Sequence, residues 1–458
     1  MGLSIIILAA GKGSRMCSKN PKVLQKLAGK HLIEHVIKTI SKLQAEETVV
    51  VYGHLGNKVQ EALAQYGDAI KWVEQTELLG TGHAVLQALD SVNPNNKVLI
   101  LYGDVPLISF DTLNHFVEVT RENQLGILTA EVENPAGLGR IIRNKYHDVV
   151  AIVEEKDASE IQKQITEINT GIYCASAKYL AHWLPELKSN NAQAEYYLTD
   201  IVAMARSQKV GIRVAQPIDV FEISGVNTRT ELAQLERIWQ RSRAKVIMDG
   251  GVSIADPDRI DIRGDVTIGQ DTWVDNNVIL EGQITIGENC IIGPGCFIKD
   301  ATIGSNCKIK PYSVIEGAKI GSNTTVGPYA RVRPDTILDD GVQVGNFVEI
   351  KASRLATGVK AGHLSYIGNA EIGTNCNIGA GVITCNYDGA RKHKTEIGKN
   401  VFVGSNSSLV APIKIEDGAT IAAGTVVTKS VESESLSITR VPQKNIKNWK
   451  RPQKDGKK

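Results

Sequence analysis

Two groups of residues in this 458-residue chain have the types and spacing for group-transfer chemistry. The first begins with LAAGKGSRM at 8–16 and continues with PKVL at 21–24. Small residues let the main chain approach a phosphate closely, and successive N–H groups can then cradle it. Lys12, Arg15 and Lys22 add positive charge beside that cradle. The spacing is not that of a Walker A loop, because no GK[ST] follows G-x4, and it is not GxGxxG either. Asp104, in YGDVPL, closes an apolar run. A carboxylate there can hold Mg²⁺, which keeps several waters and also binds phosphate oxygens. The second group lies in KASRLATGVKAGHLSY at 351–366 and TCNYDGARKHKTE at 384–396. It offers Lys351, His363, Tyr366, Asn386 and Tyr387. A histidine is suited to proton transfer near neutral pH.

The elements that must position the first group read as α/β. SIIILAA at 4–10 is a short Ile-rich apolar run that stops at Gly11, as a buried parallel strand does. HLIEHVIKTISKL at 31–43 places Leu32, Val36, Ile40 and Leu43 at helical spacing. ETVVVYG at 47–53 and VLILYGD at 98–104 are further strands, with the helix-like TGHAVLQALDSV before the latter. Alternating strands and helices imply a doubly wound, Rossmann-like sheet. Ligands bind such sheets at the C-terminal strand ends, where Gly11 and Asp104 both fall. Residues 229–248 read as one helix of about 20 residues, capped by Thr228 with Glu231 three residues on. It is either a packed helix of the first domain or a spacer between two sites.

The second group sits in a repeat. From residue 251 the apolar period becomes six: Ile268, Val274, Leu280, Ile286, Ile292 and Ile298 are in phase. The phase slips by one at Ile303 and again at Ile320, and runs late in the chain from Ile397 to Val427. A six-residue period marks hexapeptide repeats, three to a triangular coil, with one aliphatic side chain per repeat facing a narrow core. The stretch 351–366 shows no phase and reads as a loop. The stretch 384–396 is a second break. Glycine is uneven to match: 17 of the 42 fall in residues 1–250 and 25 in 251–458, which implies two architectures.

Composition removes several function classes. With 52 Lys+Arg against 50 Asp+Glu, the chain lacks the basic excess of a protein that binds nucleic acid through bulk charge. At 42% hydrophobic residues it is not a disordered chain. No run of about 18 apolar residues exists to span a membrane. The seven cysteines form no CxxC pair, which speaks against a disulfide framework or zinc site and for a reduced, cytoplasmic setting.

LAAGKGSRM…PKVL resembles the signature of sugar-nucleotide pyrophosphorylases. Further motifs follow in order: Gln75, LGTGHA at 79–84, YGDVPL at 102–107, GLGRI at 137–141, VEEKDA at 153–158, EINTGIY at 167–173 and ISGVNT at 223–228. The second half adds ARVRP at 330–334, NFVEIKAS at 346–353, HLSYIG at 363–368, NIGAG at 377–381, CNYDG at 385–389, VGSN at 403–406 and SITRVP at 437–442. Over about 1–442 the chain resembles the family of bifunctional N-acetylglucosamine-1-phosphate uridyltransferases and glucosamine-1-phosphate acetyltransferases.

That resemblance implies an α/β uridyltransferase domain at 1–228, a linker helix at 229–249, and a left-handed parallel β-helix acetyltransferase with a tail at 250–458. It implies Mg²⁺ on Asp104 and Asn227, and UTP and acetyl-CoA as co-substrates. Leu8, Ala9, Ala10, Gly11, Lys22, Gln75, Gly80, Thr81, Tyr102, Gly103 and Asp104 would hold the nucleotide. Gly139, Glu154 and Asn169 would hold the sugar, and Arg15 and Lys22 would neutralise charge during uridylyl transfer. In the second half His363 would be the base. Arg333, Lys351, Tyr366 and Asn377 would bind the sugar phosphate. Ala380, Asn386, Tyr387, Ser405, Ala423 and Arg440 would contact acetyl-CoA. A homotrimer, without nucleic-acid or membrane partners, is implied as well. A single-activity pyrophosphorylase with a purely structural β-helix would not need Lys351, His363 and Tyr366.

Overall fold

The computed structural model describes residues 2–11, 13–53 and 55–452. Lys12 and the end of the basic tail, residues 453–458, lie outside them. The chain divides into two units, between Trp239 and Gln240.

The first unit is built on nine strands: β1 (Leu3–Leu8), β2 (Glu47–Tyr52), β3 (Lys71–Glu74), β4 (Lys97–Tyr102), β5 (Gln124–Glu131), β6 (Arg140–Arg143), β7 (Val149–Val153), β8 (Glu167–Ser176) and β9 (Gly211–Ala215). The sheet order is β9-β5-β8-β4-β1-β2-β3, with the β6–β7 pair attached to β8. Strands β3, β2, β1 and β4 are parallel, as the apolar runs imply. Strand β8 is antiparallel to both β4 and β5, so the sheet is mixed. Alternate residues of β1 face opposite cores: Ile6 packs with Val49 and Ile100, Ile5 and Ile7 with Val50 and Leu99. Helix Thr81–Ala88 covers the first face and helix Leu32–Ile40 the second. Burial on both faces is why these strands are continuous apolar runs rather than alternating ones. Leu8 is in register with Tyr102, so the loops that leave β1 and β4 emerge side by side.

Helix Arg229–Asp249 crosses the division between the units. Its capping box forms as the sequence implies: Asn227 and Thr228 donate N–H bonds to Glu231 Oε2 at 2.6 and 3.0 Å, and Thr228 Oγ1 accepts the Glu231 N–H at 3.1 Å. Its first half belongs to the first unit. Leu235 packs with Met16, Leu27 and Leu32, and Trp239 meets the His35 ring edge-on at 5.0 Å. Its second half belongs to the second unit. There the Gln240 amide exchanges hydrogen bonds with the Ile262 main chain at 2.7 and 3.1 Å, and Ala244 and Ile247 join the core.

The second unit is a left-handed parallel β-helix. One face runs through parallel strands from Ser253–Ile254 to Leu436–Ser437. The other two are joined through the long strands Ile260–Ile268, Val278–Ile286 and Phe297–Ile303. All the predicted in-phase residues from Val274 to Val427 are buried, and Ile268 is partly buried.

Two details correct the sequence reading. Each repeat buries two side chains, not one. The second lies two positions before the aliphatic one and is small in many repeats, as in Cys290–Ile292, Thr324–Val326 and Ser407–Leu409, though it is Ile in Ile413–Ile415. The cysteines at 290, 296, 307 and 376 are such fillers. Residues 351–366 are not a loop. They form ordinary coil, with strands Arg354–Leu355 and Lys360–His363. The repeat was hidden because Ala361 takes the aliphatic position and the phase slips at Leu355, both of which are buried. The second break is real: an insertion bends out around 387–392, closed by one antiparallel bridge between Tyr387 and Lys392.

Candidate active sites

The first site is a cavity of about 590 Å³ at the C-terminal ends of β1 and β4. Its lining includes Leu8, Ala9, Ala10, Gly11, Lys22, Gln75, Gly80, Thr81, Tyr102, Asp104 and Asn227, all predicted from the sequence. Backbone bonds close the loops over the sheet: the Gly103 N–H donates to Leu8 O at 2.9 Å and the Ala9 N–H to Val51 O at 2.8 Å. Gly103 thus braces the cavity floor. Gln75 is buried after β3 and donates from Nε2 to Gly80 O at 3.1 Å. Gly80 has φ +110°, and a Cβ there would press on the Tyr196 main chain, so glycine is required at this turn.

Lys22, Asp104 and Asn227 converge although 205 residues separate the first from the last. The Lys22 ammonium forms an ion pair with Asp104 Oδ2 and donates to Asn227 Oδ1 at 3.1 Å. The Val226 N–H donates to Asp104 O at 3.0 Å, which ties the two segments together. A carboxylate and an amide oxygen that share one cation are hard oxygen ligands, the donor set that suits Mg²⁺. Arg15 is placed differently. It stands exposed on the turn Ser14–Met16 and is not in the cavity lining among the described residues.

Gly139 just before β6, Glu154 just after β7 and Asn169 on β8 form a second group. The Asn169 N–H donates to Gly139 O at 2.8 Å, and a Cβ on Gly139 would touch Glu154 Oε1. Tyr102 links this group to the cavity, since a Cβ on Gly171 would strike its ring. Burial pushes the Glu154 carboxyl up, helped by Asp157 and Asp200 and opposed by Arg140. Burial also holds the Tyr102 phenol well above its usual range, with Asp104 and Glu154 adding to it.

A carboxyl raised in the folded state binds its proton more tightly there than in the unfolded chain. Stability therefore falls as pH rises from the unfolded value through the raised folded one. Glu154→Gln is accordingly expected to raise Tm at pH 7, by a margin that closes as pH falls toward about 4. Thermal melts of both proteins across pH check this.

Sequence reasoning missed Val23, Leu78, Ala84 and Glu195 in the cavity wall. Glu195 arrives on a segment that folds back across the helix start. The Gly82 N–H donates to Tyr196 O at 2.9 Å and the Tyr196 N–H to Leu79 O at 2.7 Å. No periodicity in the neighbouring AQAEYY run marks that return.

The second site lies on the β-helix. Arg333, Lys351 and Tyr366 occupy one face on successive coils, with Glu349 in register with Tyr366 and Lys351 with Gly368. Arg333 Nη1 donates to Glu349 Oε1 at 2.8 Å. Lys392, from the insertion, pushes the Lys351 ammonium down, and Arg333 adds to this. Lys351 and Lys392 thus crowd together beside the Arg333–Glu349 pair, an arrangement of cations able to attract a phosphate. Lys392 was missed because it lies among several basic residues of an insertion without phase. Asn386 is buried and donates to Asn369 Oδ1 at 2.7 Å, while Tyr387 is exposed.

Register explains the remaining residues. The strands Lys360–His363, Asn377–Ile378, Phe402–Val403 and Thr420–Ile421 stack in line. His363, Ala380, Ser405 and Ala423 each lie three residues past the same register position, so they climb one corner of the prism. Arg440 follows the last coil of that face and is exposed. At about 4.8 Å per coil the column spans roughly 14 Å from His363 to Ala423. Asn377 begins the strand above His363. One residue further round this corner, Tyr312, Tyr329 and Phe347 stack at 5.2 and 5.5 Å and are each more than half exposed (53%, 51% and 57%).

No helix among the described residues is long and apolar enough to cross a membrane. Family models match residues 5–183 as a MobA-like NTP transferase domain, 262–354 as a GMPPB C-terminal domain, and 394–429 as a hexapeptide repeat of succinyl-transferase. The "Bifunctional protein GlmU" of Francisella tularensis subsp. novicida (strain U112) is 57% identical over 454 residues, 99% of each chain. That of Francisella tularensis subsp. tularensis (strain WY96-3418) is 57% identical over 451 residues, 98% of each chain. A solved UDP-glucose pyrophosphorylase complexed with UDP-glucose aligns with 53% of this chain and 100% of its own, at 17% identity and a TM-score of 0.44.

Proposed function

Since this chain belongs to the GlmU family of bifunctional proteins, we propose that each of the sites described above serves one of two consecutive transfers. The chain is a uridylyltransferase and an acetyltransferase of UDP-N-acetylglucosamine synthesis, the supply route to peptidoglycan and lipopolysaccharide. The β-helix acetylates glucosamine-1-phosphate, and the α/β half then joins the product to UMP from UTP. The observation that carries this reading is the presence, in one chain, of two separate sites. One has a convergent Lys22, Asp104 and Asn227. The other has a corner column beginning at His363.

In the β-helix half, residues 250–458, Arg333, Lys351 and Lys392 hold the sugar phosphate, with Tyr366 and Asn377 on the sugar. His363 takes a proton from the amine as its nitrogen attacks the acetyl thioester. The column Ala380, Ser405 and Ala423, with Asn386, Tyr387 and Arg440, seats acetyl-CoA, and Arg440 pairs with a phosphate of that co-substrate. The exposed ring stripe beside His363 gives neighbouring subunits of a homotrimer a surface to pack on.

In the α/β half, residues 1–228, the backbone at 8–11 cradles the triphosphate, Gln75, Gly80 and Thr81 read the base, and Gly139, Glu154 and Asn169 orient the sugar. Asp104 and Asn227 would hold Mg²⁺, which when bound supplies charge neutralisation on phosphate oxygens. Lys22 neutralises the α-phosphate as the sugar-phosphate oxygen attacks it and pyrophosphate leaves. Arg15, exposed on its turn, reaches the outer phosphates only if that turn closes over UTP. The substrates are small and water-soluble, and the reactions are assigned to the cytoplasm.

Two assays on the purified protein test this. Acetyl-CoA with glucosamine-1-phosphate should release free thiol. UTP with N-acetylglucosamine-1-phosphate and Mg²⁺ should release pyrophosphate. Activity in only one assay would leave a single-function enzyme.

A further inference from the structure

The corner that carries His363 has an equivalent one coil below it. Gln343 is in register with Lys360, Val344 with Ala361 and Asn346 with His363. Gly345 and Gly362 lie between these pairs. A Cβ on Gly345 would run into the Gly362 carbonyl, so glycine at 345 is what lets the two coils close up here. The result is a short polar contact, with His363 Nδ1 and Asn346 Oδ1 2.6 Å apart. An imidazole nitrogen this near an amide oxygen is attracted to it only if the nitrogen bears the proton. Nδ1 therefore donates, and in the neutral ring Nε2 keeps its lone pair.

We propose that Asn346 is a positioning residue for acetyl transfer, fixing the tautomer and the aim of His363 so that Nε2 is the base. This rests on the reading of His363 as that base. In the step, Nε2 takes a proton from the attacking amine while the C–N bond forms. The C–S bond breaks, the departing CoA thiolate takes the proton back, and the ring returns to its neutral tautomer. An amide in this place differs from the carboxylate of a Ser-His-Asp arrangement, because it orients the ring without adding a countercharge for the imidazolium. Asn346 is half-buried between coils and needs no contact with substrate to act.

The test uses the intact protein with Asn346→Ala, Asn346→Asp and His363→Ala, each assayed for acetyl transfer and for uridylyl transfer. Asn346→Ala is expected to lower kcat for acetyl transfer about 10- to 100-fold, the usual scale for losing a group that orients a functional histidine. KM for both substrates and the rate of uridylyl transfer should stay at wild-type values. Asn346→Asp keeps the acceptor oxygen and should recover most of the loss. The proposal is overturned if Asn346→Ala keeps its kcat, if the loss appears in KM instead, or if Asn346→Asp is as impaired as alanine. A His363→Ala protein that still acetylates would remove the premise, an outcome distinct from these.

Discussion

Replacing His363 with alanine is expected to lower acetyl transfer by about 10²- to 10⁴-fold, the range a positioned general base contributes. Uridylyl transfer by the same preparation should be unchanged. The asymmetry follows from where the side chain sits. His363 is exposed at a coil corner, and its ring bonds to Asn346 rather than to any core residue. The coil beneath it is held by Ala361, Ser365 and Ile367, all buried, which the substitution leaves in place. Loss of both activities in a well-folded protein would contradict two independent sites. Full acetylation in the variant would remove His363 as the base.

The second large effect concerns Lys22. Lys22→Ala should lower uridylyl transfer by about 10²- to 10³-fold, the scale for removing one preorganised group aimed at developing charge. Acetyl transfer is unaffected in this account. The ammonium is shared between Asp104 and Asn227 in the cavity wall, with Lys22 and Asp104 side chains only 15% and 13% exposed. Its loss leaves the Asp104 carboxylate without its ion-pair partner, so some stability is lost as well. Lys22→Arg should not restore the rate, because a planar fork does not replace a compact ammonium between two oxygens. Pyrophosphate release measured for both variants checks this. Wild-type release from Lys22→Ala would leave the lysine as a structural ion pair only.

The residues that sequence analysis placed best are those fixed by secondary structure. Leu8 to Gly11 and Asp104 end apolar strands, and parallel pairing of β1 with β4 brings strand ends together. Thr228 and Glu231 are a local capping pattern, and Asn227 is positioned by it. The aliphatic repeat made the β-helix legible, because one buried residue every six positions has no other simple origin. Where the side chains became smaller the signal faded. Ala361 breaks the apparent phase, so 351–366 carries no repeat signal although it is regular coil.

What stayed hidden depends on tertiary return. Glu195 reaches the cavity because residues 195–197 pair with 79–82, and Lys392 reaches Lys351 from an insertion. Asn346 lies 17 residues before His363, one coil of the prism, and its partner is apparent only once the register is known. The mixed character of the first sheet was hidden for the same reason, since strand direction is set by connections and not by composition.

The measurement that tests the account most directly supplies the whole protein with glucosamine-1-phosphate, UTP and Mg²⁺, and follows free thiol and pyrophosphate on adding acetyl-CoA. The account predicts little pyrophosphate before the addition, then thiol release first, with pyrophosphate following after a lag and reaching the same final amount. Pyrophosphate released at full rate without acetyl-CoA, or thiol released with no pyrophosphate after it, would contradict two consecutive transfers by one chain.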